Sequence, residues 1–455
     1  EEDSIMCASY TRRLIAWIPV CLLLIGMPSS SLTQAAGKPT PPQAPLTLGA
    51  DLNIVATERG SAPRLRAWQQ VAPGNYQLSW TENGPGPGQV VLADVDGQGD
   101  NEVVIYGACS IGTKKNPEYG YFINVYKQGH TGVYYSSYPG GIEGFVRETS
   151  AWVVDQQLLA SDLDNDGLGE ILLGTATHIG VFKFDEAAAG KIKKTAEVDL
   201  GLVGTWIAGR TLKRDGMAAA DVDDHLLPTP DSAEIVSGAH YRDGSGQDKS
   251  YLLFFDRSLG LKGYAPIHAT ETDLSDFDIT DLRIANTNTD NVNEVWCVGY
   301  GKLLASWTVG STPSEVDPTY GLMRGPGLDS STSTYIQLAV GRLSDPLGVD
   351  QLILNYNVPD WSRIDIYRNA GVTLELVARR EYADRGINAM EVAESQLFVA
   401  GTQGAPPKWS PYLEVMRLDS TDGGYMVTTI WSHGGERNGN EVWDIAVGRA
   451  TLTGR

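Results

Sequence analysis

Short apolar runs alternate with polar, glycine-containing turns along most of the chain. Val103-Val104-Ile105, Ile171-Leu172-Leu173, Val295-Trp296-Cys297-Val298 and Leu352-Ile353-Leu354 are continuous runs, too short for helices. They read as the apolar strand that follows each polar loop. A second class alternates with period two: Phe122 to Tyr126, Val181 to Phe184, Leu252 to Phe255, Ile364 to Tyr367 and Leu413 to Met416. That alternation, rich in β-branched and aromatic residues, predicts strands with one buried face. A short polar strand and a Gly- or Pro-containing turn complete each group.

The turn before each continuous run is the most regular feature. Asp162-Leu163-Asp164-Asn165-Asp166-Gly167-Leu168-Gly169-Glu170 places acids at alternate positions, then a glycine, then a closing acid. Asp94 to Glu102 and Asn286 to Glu294 repeat the pattern, with Gln98 and two asparagines among the oxygen donors. Asp221-Val222-Asp223 begins another copy, in which His225 takes the third position and an insertion delays Glu234. Two further copies keep the frame without the acids: Ala339 to Leu343 leading to Asp350-Gln351, and Val392 to Ser395 leading to Gln396. A hard cation such as calcium takes about six to eight oxygens. A tight loop of alternating carboxylates with one backbone carbonyl can supply them. The closing acid comes too early, and no amphipathic helices flank the loop, so this is not an EF-hand. Without an ion, the same stretch is an Asx-rich turn.

Units of four short antiparallel strands, recurring every few tens of residues, indicate propeller blades. The chain ends on Val442 to Arg449, which copies the first strand of a unit with no unit after it. Asp51 to Ala56 copies a second strand with no loop before it, and Arg64 to Trp68 and Tyr76 to Trp80 follow as third and fourth strands. Pairing the two ends completes one more unit. The expected fold is all-β: a seven-bladed β-propeller of four-stranded antiparallel blades over 46–455, closed by the C-terminal strand. Closure removes the open edge strands that promote aggregation.

The 455 residues include 51 glycines and 23 prolines, which suits many tight turns. Arg12-Arg13 precede an apolar run, Leu14 to Met27, that is short for a bilayer span, and Ala35-Ala36 are plausible cleavage positions. Residues 1–36 are expected to be a signal peptide and 37–45 a Pro-rich linker, leaving no integral membrane span after cleavage and a secreted or cell-surface protein. Export suits weak calcium sites, since extracellular calcium is abundant. Cys109 and Cys297, outside the leader, are expected to be two thiols. The net charge of −21 and the lack of a basic stripe argue against nucleic acid as a partner.

The D-x-D-x-D-G-x-x-E loop between short strands, repeated around a ring, resembles the FG-GAP or VCBS-type repeat of integrin-α-like calcium-binding propellers. The Phe-Gly and Gly-Ala-Pro elements of that family are mostly missing; Gly404-Ala405-Pro406 is the nearest trace. The resemblance implies calcium ligands at Asp94, Asp96, Gln98 and Glu102, at Asp162, Asp164, Asp166 and Glu170, and at Asn286, Asn288, Asp290 and Glu294. Backbone carbonyls of Asp100, Leu168 and Val292 would complete the sets. About three structural calcium ions are implied. A fourth, at Asp221, Asp223 and Glu234, is weakened by His225, because imidazole suits a hard ion poorly. By charge count the loop at 162 should bind tightest and that at 286 more weakly.

No catalytic residues are assigned. The six histidines are scattered, without metal-ligand spacing, and no nucleophile elbow or phosphate loop occurs. The preferred function is an extracellular binding or adhesion module for a glycan or a protein. Aromatics in loops support it: Tyr119, Tyr121, Tyr134, Tyr135, Tyr138, Tyr241, Trp361, Trp409, Tyr412 and Trp431. The alternatives are a polysaccharide lyase or hydrolase, with His240-Tyr241-Arg242-Asp243 as the best local candidate, and a structural subunit of a surface assembly.

Overall fold

The computed structural model describes Met6–Cys7 and most of residues 46–449. Segments outside the description include 8–45, 111–118, 138–145, 149–156, 223–232, 267–278, 288–292, 310–315, 324–334 and 450–455. The expected signal peptide and linker therefore fall almost wholly outside it.

Six sheets are four-stranded antiparallel blades in a propeller arrangement. One is built from Gln157–Ser161, Glu170–Gly174, His178–Phe184 and Ile192–Asp199 in that order. Blades spanning 213–266, 279–323, 335–382 and 385–434 repeat the meander. The sixth is composite. Glu441–Arg449 pairs antiparallel with Leu52–Arg59, which continues to Arg64–Ala72 and Asn75–Asn83. The expected end-to-end pairing is thus observed.

The expectation of seven four-stranded blades is corrected, because six have that form. The remaining sheet has six strands: Val90–Ala93, Glu102–Ser110 and Tyr119–Tyr126 form a meander, and Met6–Cys7 pairs with Glu102–Ser110. Its outer position is filled by two short pieces, Tyr135–Ser136 and Val146–Glu148, that pair with the same third strand. Pro139-Gly140-Gly141 lies between them in sequence.

The cores lie between neighbouring sheets. Second strands carry the continuous apolar runs because both their faces are covered: Glu170–Gly174 and Leu52–Arg59 are buried throughout. One core joins Val104 and Ile123 of the irregular sheet to Leu158, Ile171 and Phe182 of the next blade. Another joins Ile54 and Trp68 to Phe398, Leu413 and Val415. Cys297 is buried and forms no disulfide; the side chain of Cys109, the other expected thiol, lies outside the description.

First strands face one another around the centre, linked by side chains that bond the neighbouring backbone. Gln89 Oε1 accepts from Leu158 N at 2.6 Å, and Gln157 Nε2 donates to Met217 O at 2.7 Å. Asp281 Oδ2 accepts from Leu338 N at 3.0 Å, and Gln337 Nε2 donates to Asn388 O. Asn388 Nδ2 donates to Val442 O at 2.8 Å, and Asp444 Oδ2 accepts from Val90 N at 2.9 Å. Between 213–220 and 279–285 the strands touch closely instead, because a Cβ at Gly216 would lie 2.9 Å from Leu282 Cβ.

Two inner carboxylates meet at the closing strand: Asp444 lies on it, and Glu391 lies on the neighbouring first strand. Glu391 Oε2 accepts from Val447 N at 3.0 Å. Burial, then the nearby Asp444, pushes Glu391 up to about 8, opposed by the Val447 N–H and by Arg283. Burial likewise pushes Asp444 up to about 7, against the N–H groups of Val90 and Ile445 and the charges of Arg283 and Arg59. A carboxyl whose folded value lies above its unfolded value stabilises the fold at low pH, and that contribution is lost as pH rises through the folded value. Melting temperature should therefore fall between about pH 5 and 9, and Glu391→Gln should flatten the slope. An identical pH profile in the variant would show that Glu391 does not titrate in the fold.

The helix Leu200–Ile207 was not expected from an all-β pattern. Asp199 caps it, its Oδ1 accepting from Gly201 N at 2.8 Å. Leu200, Val203 and Gly204 face inward, whereas Leu202 and Trp206 are 61% and 76% exposed.

Candidate metal centre

Among the described residues, two groups of acids can hold a metal ion: Asp94, Asp96 and Glu102, and Asp162, Asp164 and Asp166. Within each group, ligand atoms lie within 4.8 Å of one another. Both loops join a first strand to a second strand, so they sit on the same face of the ring. Their folding is local. Asp94 accepts from Gly97 N at 2.8 Å and from Gly99 N at 2.9 Å, one bond per carboxylate oxygen. Asp162 does the same with Asp166 N at 3.1 Å and Gly167 N at 2.9 Å. Gly97 (φ +72°) and Gly167 (φ +87°) occupy the left-handed region, which explains the glycine after or among the acids.

The two loops touch. Gly169 N donates to Asp94 O at 2.7 Å, and Leu168 lies over Gly97 so closely that a Cβ there would be 2.5 Å from Leu168 Cδ2. Asp350 N and Asn286 O make the corresponding link between two other blades at 3.2 Å.

The closing acid has a role that the sequence pattern did not reveal. One of its oxygens accepts the N–H of the second loop residue: Glu102 from Val95 (3.0 Å), Glu170 from Leu163 (2.6 Å), Glu234 from Val222 (3.2 Å) and Glu294 from Thr287 (2.9 Å). Gln351 does the same with Leu343 N at 2.6 Å, so the clamp survives where the acids are lost. In three loops the other oxygen meets an ammonium. Lys127 lies 3.3 Å from Glu102 and pairs with Asp96. Lys183 lies 2.9 Å from Glu170 and 2.5 Å from Asp164. Lys262 lies 2.6 Å from Glu234.

Strand register explains the first two pairs. Val103 pairs with Tyr126 and Ile171 with Phe182, so Lys127 and Lys183 fall opposite the closing glutamates one position on. Aligning Tyr126-Lys127 with Phe182-Lys183 is the sequence signal that could have found them. Glu170, expected among the ligands, is thus turned toward Lys183 and lies outside the cluster of three aspartates.

These contacts set the charge states. Burial pushes Glu102 up to about 7, helped by Asp96 and opposed by the Val95 N–H and Lys127. The hydrogen bond from Lys183 holds Asp164 below the ordinary aspartate value. Burial opposes the charge on Lys127 and Lys183, but their carboxylate partners hold both above the ordinary lysine value. Within the acidic groups, Asp164 Oδ1 is buried without a hydrogen bond, while Glu102 Oε1 faces the Lys127 ammonium at 3.3 Å. A buried acceptor such as Asp164 Oδ1, in an acidic group, fits a cation.

Other expected ligands are placed unevenly. Gln98, Asp100 and Leu168 lie in the described loops, with Gln98 N donating to Asp96 Oδ1 at 3.3 Å and Leu168 N to Asp166 Oδ1 at 2.8 Å. Asn286 and Glu294 are described, but Asn288, Asp290 and Val292 lie outside the description, as do Asp221 and Asp223.

The alternative site around His240 lies at the far end of Glu234–Arg242, on the face opposite the acidic loops. Tyr241 stacks on Tyr251, and Asp243 is outside the description. Of the aromatics expected in loops, Tyr121, Tyr135 and Tyr412 are buried core residues instead, because they occupy strand positions between blades. Tyr134 is 42% exposed and its ring lies tilted against His130, with 4.1 Å between centroids. It adjoins the first acidic loop through Tyr135, whose hydroxyl donates to Asp96 Oδ2 at 2.8 Å.

No protein-family model and no curated protein matches this chain. Solved structures resemble it distantly. The exotype rhamnogalacturonan lyase YesX is 12% identical over 85% of this chain and 80% of its own, with a TM-score of 0.41. Saccharomyces cerevisiae Sqt1 is 11% identical over 90% and 96%, with a TM-score of 0.44. The Dos1 propeller is 12% identical over 78% and 87%, with a TM-score of 0.40. At these values the likenesses say nothing about activity.

Proposed function

We propose that this chain is a secreted calcium-binding β-propeller that acts as an extracellular binding module for a glycan or a protein. The irregular sheet's strand Val90–Ala93 lies against both Gln157–Ser161 and Glu441–Arg449, which supports reading that sheet as a further, irregular blade. The acidic loops and their repetition support membership of the FG-GAP or VCBS-type repeat family.

The observation that carries the metal reading is the pair of touching loops. They bring Asp94, Asp96, Asp100 and Glu102 against Asp162, Asp164, Asp166 and Glu170, with Lys127 and Lys183 as the ammonium groups paired to them. Asp94, Asp96 and Glu102 would hold one calcium ion, and Asp162, Asp164 and Asp166 another. A bound ion supplies positive charge and a fixed oxygen geometry. Because it binds the folded loop, it stabilises the fold. The exposed Tyr134–His130 pair beside the first loop offers an aromatic face of the kind that stacks on a sugar ring or a partner side chain.

A glycan array probed with the protein in calcium, then in EGTA, tests this reading. Binding to one sugar class that disappears in EGTA and in Tyr134→Ala is expected for a lectin. Silence with folded protein would leave a protein partner as the ligand. Absence of calcium binding by calorimetry would remove the metal from the proposal.

A further inference from the structure

We propose that Lys127 and Lys183 are resident cations of the two acidic loops, tethered ammonium groups that hold each loop closed when no metal is bound. The inference rests on the calcium reading for the ion but on the geometry of this chain for the lysines. Each side chain reaches from the end of a third strand across to a closing glutamate and to the second aspartate of the loop. These are the carboxylates whose repulsion would otherwise open the turn. Lys127 is buried, and Glu102 is completely so. Neither charge could stay there without the other.

The two loops share their acids with the lysine differently. In the first, the possible ligand set is Asp94, Asp96 and Glu102, and Lys127 touches the last two of these. An ion and the ammonium compete for the same oxygens. In the second, the set is Asp162, Asp164 and Asp166, and Lys183 touches only Asp164 within it. There an ion sits beside the ammonium, on the outer oxygens. Calcium should therefore fill the second loop first, and the first loop only at higher concentration. Lysine placement, more than carboxylate number, ranks the sites.

The test combines melting curves in EGTA with calcium titration by calorimetry, for the wild type, Lys127→Met and Lys127→Arg. The wild type should keep a cooperative melt in EGTA, below its calcium-bound temperature by the amount that ion binding contributes. Lys127→Met should melt lower in EGTA by roughly 4–6 °C, recover on adding calcium, and bind one ion about tenfold more tightly. Lys127→Arg, which keeps the charge, should melt near the wild type. A Lys127→Met protein that folds only with calcium present, or fails to fold while Lys127→Arg folds, also supports the proposal. Equal melting of Lys127→Met and wild type in EGTA overturns it. So does equal damage in Lys127→Met and Lys127→Arg, because shape and not charge would then be what matters. If no variant binds calcium yet Lys127→Met melts lower, the calcium reading fails and the resident cation stands.

Discussion

A chain that stops after Asn440 is expected not to fold. The lost strand, Glu441–Arg449, pairs with Leu52–Arg59 over eight residue pairs. Each ladder hydrogen bond contributes about 1 kcal/mol net. Val442, Ile445, Ala446 and Val447 are buried, adding roughly 1–3 kcal/mol for each larger side chain. The sum is on the order of 10 kcal/mol, comparable to the whole 5–15 kcal/mol stability of a typical domain. Further losses follow around the centre. Glu391 would lose the Val447 N–H, Val90 N would lose Asp444, and Asn388 would lose the Val442 carbonyl. Leu52–Arg59 would become an open edge with apolar faces, a template for aggregation. Size-exclusion chromatography should give soluble aggregate or nothing, and circular dichroism no cooperative melt. A monomeric truncated chain melting within a few degrees of the full chain would refute the role of the closing strand.

Asp365→Ala is expected to cost about 3–5 kcal/mol. The Asp365 side chain is fully buried in the blade spanning 335–382. Arg379 grips it through two nitrogens, Nε to Oδ1 at 2.7 Å and Nη2 to Oδ2 at 3.2 Å, while Arg363 Nε lies 3.1 Å from Oδ2. The Tyr367 hydroxyl donates to Oδ2 at 3.4 Å. Removing the carboxylate leaves two guanidinium groups facing each other, Arg363 being mostly buried. Urea unfolding should show a lower midpoint for Asp365→Ala. The double variant Asp365→Ala/Arg379→Met should recover part of the loss, since it removes an orphaned charge. A cost below about 1 kcal/mol for the single variant would show that water, not Asp365, neutralises the arginines.

The blade holding Asp365 is also one whose turn has lost its acids: the register of Gly341 with Gln351 puts Arg342 where Asp94 and Asp162 stand in the acidic loops. Its clamp persists through Gln351, which accepts from Leu343 N and donates to Val349 O at 2.7 Å. The turn geometry therefore does not depend on a metal. A closing side chain that caps the loop backbone is what all five of these loops share, whether the other positions carry acids or not.

The local order of strands was legible because each strand's burial pattern is written in its own residues. Continuous runs such as Ile171-Leu172-Leu173 became strands covered on both faces, and alternating runs such as Val181 to Phe184 became their neighbours. The pairing of the two chain ends was legible too, because Val442 to Arg449 lacks a following unit and Asp51 to Ala56 lacks a preceding one. Glycines at 97 and 167 marked the loops, since only the left-handed backbone closes them without strain.

Tertiary structure alone decided the rest. The lysines that enter the acidic loops come from another strand, so only register brings Lys127 to Glu102 and Lys183 to Glu170. The outer position of the irregular sheet is taken by two short pieces, Tyr135–Ser136 and Val146–Glu148, whose shared partner strand neither segment names. The short helix Leu200–Ile207 forms where a connection between blades has room to coil and an aspartate to cap it. Tyr121, Tyr135 and Tyr412 became core residues because neighbouring blades cover them. Which strand lies beside a residue, and which blade lies over it, are not properties of its own segment. Sequence periodicity therefore fixes what each strand is, while contact between strands fixes what each charged side chain does.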